Sequence, residues 1–97
     1  MVQRIVERFQ PQRIILFGSH ARGEAGPDSD VDLLVVLPHV ASRRAERVKI
    51  RTALNGIGLA KDIVVATPEE IEEKRDLVGT IIYPALREGK VVYERLA

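Results

Sequence analysis

Two aspartates, Asp30 and Asp32, stand at the head of the segment DVDLLVVL, and ten residues separate Asp30 from an upstream Gly18-Ser19. On a strand, side chains alternate, so the two carboxylates project from one face. Two anions side by side repel, and burying them without a partner is costly. A divalent cation resolves that conflict, and oxygen-only ligands select a hard ion such as Mg²⁺. Mg²⁺ keeps several waters and takes one or two carboxylates together with phosphate oxygens. Asp32 is followed by the apolar run Leu33 to Leu37, which places it at the mouth of a buried strand. A charge there needs a reason.

Gly18-Ser19 follows directly on RIILF, a short apolar run, and precedes a segment long enough for one or two helical turns. Glycine permits close backbone approach and unusual dihedrals. A following helix start offers N–H groups to an anion, and the serine hydroxyl adds a donor. The turn is neither a Walker A loop nor a dinucleotide fingerprint, since both of those patterns are missing. Taken singly, each feature has an ordinary structural reading: Asp28, Ser29 and Asp30 serve as turn and cap residues, and Gly-Ser as a simple turn.

The elements that must position these residues follow from periodicity. Val2, Ile5, Val6 and Phe9 form a helical stripe that Pro11 ends. Arg13 to Phe17, Asp30 to Leu37 and Lys61 to Ala66 read as strands, and Lys90 to Glu94 as a short last strand at a sheet edge. Residues 41–54 read as a basic helix with a thin stripe of Ala41, Ala45 and Val48, stopped at Asn55-Gly56. Thr67-Pro68-Glu69-Glu70 combines an N-cap, a proline at N1 and a glutamate at N3, which predicts a helix start. Val78, Ile81, Ile82, Ala85 and Leu86 form a further stripe ended by Gly89, which Pro84 must kink or break in two. The expected fold is a single α/β (α+β) domain over residues 1–97, a small mixed sheet of about four strands flanked by helices.

Composition narrows the chemistry. With no cysteine, thiolate nucleophiles and cysteine metal sites are excluded. No apolar run is long enough to span a bilayer and no signal peptide is evident, so a cytoplasmic protein is expected. The net charge of +1 is neutral on nucleic acid, but its distribution is uneven. Arg43, Arg44, Arg47, Lys49 and Arg51 face only Glu46 in one segment, while Glu69, Glu70, Glu72, Glu73 and Asp76 dominate another. Such runs are read either as solvated helix faces or as partner surfaces. His20 and His39 read as surface residues, and Tyr83 and Tyr93 as packing residues.

The spacing Gly-Ser, ten residues, Asp-x-Asp resembles the signature of the DNA polymerase β-like nucleotidyltransferase superfamily. The stretch LFGSHARGEAGPDSDVDLLVV is similar to the minimal nucleotidyltransferase family of small bacterial and archaeal proteins. The resemblance implies a nucleotidyltransferase fold in which Asp30 and Asp32 hold metal, Gly18 and Ser19 cradle a triphosphate, and Arg22 assists. It also implies a third carboxylate from a neighbouring strand. Asp62 is the matching position and heads an apolar strand as Asp32 does, with a plain strand-start aspartate as its structural alternative. By the same resemblance the cofactors are Mg²⁺, as two ions, with ATP as substrate, and AMP is transferred to an acceptor hydroxyl. The implied partner is a HEPN-domain toxin, modified on a tyrosine and so silenced, with this chain as antitoxin. Two alternatives stay open: a nucleotide-binding antitoxin that masks its partner stoichiometrically, and a transferase acting on RNA or a small molecule. The sparse aromatic content, 4%, disfavours an extended nucleic-acid surface.

Overall fold

Helix α1, Val2–Phe9, presents Ile5 to the interior with no exposed surface, and Val2, Val6 and Phe9 pack at its margins. In this computed structural model, which describes residues 2–23, 26, 30–56, 61–75 and 82–95, the helix ends at Phe9, two residues before the proline that stops it. Gln10 is the terminating residue and adopts a left-handed φ of 48°, its N–H donating to the Val6 carbonyl at 3.1 Å. The Arg95 guanidinium donates to the Gln10 carbonyl and holds this conformation from the far end of the chain. A side chain in that region is disfavoured, so Gln10→Gly is expected to raise stability by about 0.5–1 kcal/mol. Urea unfolding checks this, and a loss of stability would mean that the Gln10 side chain contributes more than its strain.

The strands are β1 (Arg13–Phe17), β2 (Val31–Val36), β3 (Lys61–Ala66) and β4 (Lys90–Glu94), in spatial order β3-β2-β1-β4. β2 is antiparallel to β1 and parallel to β3, so the sheet is mixed; β4 runs antiparallel to β1 with an irregularity at Ile14/Ile15. Alternation divides the apolar residues between two cores. Ile14, Leu33, Val35, Ile63 and Val65 face α1 and the helix α3, Arg43–Ala53. Ile15, Phe17, Leu34, Val36 and Ala66 face α4, Pro68–Lys74, and α5, Ile82–Glu88. Tyr93 packs at the margin of the first core, as its periodic setting suggests.

Helix α3 differs from the expected stripe. Ala41 lies outside it, Ala45 is exposed and Val48 is 54% exposed. The inward face is instead Ile50, Ala53 and Leu54, continued by the half-buried Glu46. Ser42 caps its start, accepting from the Ala45 N–H at 3.2 Å, and Arg4 of α1 donates to the Ala53 carbonyl at its end, 3.1 Å away. The predicted start of α4 is realised as a reciprocal capping box between Thr67 and Glu70. Glu70 also joins the two charge runs. Its Oε2 is buried without an aligned hydrogen bond, and its charge is met by Arg43 Nη2 at 2.8 Å and Lys74 Nζ at 3.8 Å.

Pro84 is the third described residue of α5, and the turn preceding it, where the kink or break is expected, lies outside the described residues. Val78 and Ile81 of the expected stripe lie outside the described residues, while Ile82 and Ala85 are buried. Gly89 follows, and a Cβ there would meet the Ala85 carbonyl, Ile15 Cγ2 and the Leu16 carbonyl. Two of those neighbours are backbone and cannot yield. Gly89→Ala should therefore cost about 1–3 kcal/mol, read as a lower denaturation midpoint; an unchanged midpoint would show that α5 can slide outward freely. Among the described residues, no helix is long and apolar enough to cross a membrane.

Candidate active site

One rim of the sheet collects the residues singled out above. β1 and β2 are antiparallel, so the end of β1 meets the beginning of β2, with Phe17 opposite Asp32. β2 and β3 are parallel, so their beginnings lie side by side, with Asp32 opposite Asp62. Neighbouring strands are about 4.8 Å apart, and residues in register point the same way. Leu33 and Ile63 face the first core, so Asp32 and Asp62 both project from the opposite face. Asp32 is half-buried and Asp62 exposed. Like charges directly opposite on adjacent strands are destabilising. The sheet nonetheless holds this pair at its rim.

Gly18 follows the last residue of β1 and has a φ of +75°, a left-handed conformation that favours glycine. A Cβ added there would be driven into the Asp32 carboxylate, lying 3.1 Å from Cγ and nearer still to Oδ2. Gly18 is therefore what allows the Asp32 carboxylate to lie across the turn. Helix α2, Ser19–Arg22, begins directly after Gly18 and comprises a single turn. Its Ala21 N–H donates back to the Gly18 carbonyl at 3.1 Å. One turn sums very little macrodipole, so any anion held here is bound by N–H groups and side chains. The side chains of Ser19 and Arg22 lie outside the described part of the structure, as do Asp28 and Ser29.

Asp30 departs from the expected arrangement. β2 starts at Val31, which leaves Asp30 exposed ahead of the strand instead of on it. Among the described residues no group of three or more His, Asp or Glu stands close enough to hold a metal ion. What the sheet gathers is the pair Asp32–Asp62. That donor set fits Mg²⁺ in kind: it is all oxygen, and two carboxylates suffice when water and phosphate oxygens complete the shell. Sequence reasoning missed the groove beside this pair, about 530 Å³ in volume, where Arg43, Arg44 and Arg47 of α3 run along β3 from Asp62. The basic run was visible in the sequence. Its placement against Asp62 depends on how α3 crosses the sheet. His39, which follows β2, is exposed, and His20 is half-buried.

Comparisons with known proteins bear on the family and the fold. A match to the nucleotidyltransferase domain extends over residues 1–89. Protein adenylyltransferase MntA of Thermococcus cleftensis is 32% identical over 78 residues, covering 79% of this chain and 78% of that protein. MJ1305 of Methanocaldococcus jannaschii, named as a protein adenylyltransferase, is 34% identical over 89 residues, or 84% of this chain. The chain spans 58% of that relative's length. Among solved structures, one described as a nucleotidyltransferase from Sulfolobus solfataricus superposes with a TM-score of 0.66 at 18% identity, covering 97% of this chain and 74% of its own. A toxin–antitoxin structure with AMP-PNP gives 0.59 at 18% identity, covering 97% and 70%. At such identities the likeness speaks for the fold alone, and the mixed four-stranded sheet is that fold. The match over residues 1–89 and the identity to MntA speak for descent: the chain belongs to the nucleotidyltransferase domain family.

Proposed function

We propose that this chain transfers AMP from ATP to a hydroxyl of a partner protein, a tyrosine of a HEPN-domain toxin, and thereby acts as its antitoxin. The observation that carries the reading is the in-register pair Asp32–Asp62, with Gly18 shaped to admit the Asp32 carboxylate. The relatives named as protein adenylyltransferases, and the AMP-PNP carried by a toxin–antitoxin neighbour, support the choice of donor and partner.

In this mechanism Gly18 and Ser19 hold the triphosphate, and Arg22 steadies it. Asp30 and Asp32 turn the α-phosphate toward the acceptor, and Asp62, on the outer strand, stands on the acceptor side. Asp30, Asp32 and Asp62 would hold Mg²⁺, which would supply neutralisation of the phosphate charge. The acceptor oxygen bonds to the α-phosphorus, the α–β phosphoanhydride bond breaks, and pyrophosphate leaves with the electron pair. The hydroxyl proton passes to the Asp62 carboxylate and then to solvent. Positioning and charge neutralisation supply most of the rate, with no covalent enzyme intermediate.

The test is to mix the chain with its HEPN partner, ATP and Mg²⁺ and to weigh the partner. Added adenylate on a tyrosine supports the reading; silencing of the toxin with no mass gain removes it. The exposed position of Asp30, outside the strand, favours one second reading: a chain that masks its partner with little turnover. In that case silencing needs equimolar protein and no nucleotide.

A further inference from the structure

The groove along β3 has one wall from the strand and one from α3. Ile63, Val64 and Val65 line the strand side, Arg43, Arg44 and Arg47 the helix side, and Asp62 stands at one end. The three arginines are spaced i, i+1 and i+4, so Arg43 and Arg47 stack on one face with Arg44 beside them. Arg43 is engaged by Glu70. Arg44 and Arg47 are exposed, and among the described residues neither takes part in an ion pair. Among those residues β3 is also the outermost strand on its side of the sheet. An outer strand leaves a row of backbone N–H and C=O groups available to an added strand.

We infer that this groove docks an extended, acidic segment of the protein that carries the acceptor hydroxyl, delivering it to the Asp62 end. Naming the occupant as the acceptor rests on the transferase reading above. The groove itself supplies three terms of recognition. Backbone groups of β3 pair with an extended chain, the partly exposed Val64 contacts an apolar side chain, and Arg44 and Arg47 select carboxylates. A single-stranded RNA fits less well. It is gripped by aromatic stacking platforms along a basic track, and among the described residues no aromatic lines this groove.

The probes are four fluorescent ligands of equal length: a tyrosine peptide flanked by glutamates, its glutamine and lysine counterparts, and an oligouridylate. Anisotropy titration without nucleotide should show the glutamate peptide binding the wild-type chain about tenfold more tightly than the glutamine peptide, with the difference shrinking at high salt. The double variant Arg44→Glu with Arg47→Glu should lose that preference and favour the lysine peptide. Both side chains are exposed, so an unchanged far-UV spectrum is expected; should the variant misfold, the peptide comparison on the wild-type chain decides. Equal binding of glutamate and glutamine peptides, retention of the acidic peptide by the folded double variant, or tighter binding of the oligouridylate each overturns the inference. Calorimetry of ATP with Mg²⁺ on the wild-type chain separates the two claims. If nucleotide binds and the acidic peptide does not, the groove assignment falls and the transferase reading stands. If the acidic peptide binds through Arg44 and Arg47 and nucleotide does not, the transferase reading falls and the groove remains a docking site.

Discussion

Asp32→Asn is expected to lower AMP transfer by at least about a hundredfold while the chain remains folded. Asp32 is the carboxylate on which the site converges: it faces Phe17 on one strand and Asp62 on the other, and the turn at Gly18 is shaped around it. The amide keeps its volume and removes its charge. ATP with Mg²⁺ should raise the melting temperature of the wild-type chain, by an amount equivalent to about 2.7 kcal/mol at a hundredfold excess over Kd. The variant should show little of that shift. Asp62→Asn supplies the complementary measurement. It removes one of two opposed like charges at an exposed position, so transfer falls while stability without metal or nucleotide holds or rises by up to about 1 kcal/mol. If Asp32→Asn retains transfer within a few fold, or gains the same thermal shift from ATP and Mg²⁺, the assignment of this pair is wrong.

Gly18→Ala should damage stability and transfer together, for two separable reasons. The left-handed backbone costs a non-glycine residue about 1–2 kcal/mol. The added methyl also meets the Asp32 carboxylate, which must rotate away from the position it now holds. A double-mutant cycle separates these contributions, because only the second depends on Asp32. In an Asp32→Ala background the penalty of Gly18→Ala should shrink toward the backbone cost, leaving a coupling of about 1 kcal/mol or more. Additive penalties, with no coupling, would show that the closeness of Gly18 and Asp32 has no energetic weight.

Local signals in the sequence translated faithfully into structure. The capping box at Thr67 and Glu70, the boundaries of β1 and β3, and the stop before Pro11 each depend on a few consecutive residues, and each appears where expected. Where two distant segments must agree, the sequence was mute. The inward face of α3 was assigned to Val48 because it is apolar, yet the contact with α1 and β3 selects Ile50, Ala53 and Leu54. The apolar run predicts a strand from Asp30, whereas pairing of β2 with β3 begins at Val31 and with β1 at Asp32. Gly18 and the paired aspartates were legible as a motif, and Asp62 by resemblance. The neighbour, direction and register of β3 were not legible, and together they set Asp62 opposite Asp32. Likewise the two charge runs gave no sign that Arg43 would pair with Glu70.

The mixed sheet also sets an order of assembly. Phe17 and Asp32 are fifteen positions apart along the chain, while Asp32 and Asp62 are thirty apart. Closing the longer loop costs more entropy, and parallel pairing cannot begin until α3 has crossed over. The β1–β2 pair, with Gly18 against Asp32, should therefore form before β3 docks on it. As one of the two outer strands, β3 would also detach before β1 or β2 when the native chain opens locally. A nucleotide held jointly by Asp32 and Asp62 closes that opening from the ligand side. Amide hydrogens of β3 should then exchange more slowly with ATP and Mg²⁺ present, while those of β1 change little, so occupancy of the rim becomes readable as the lifetime of a single strand.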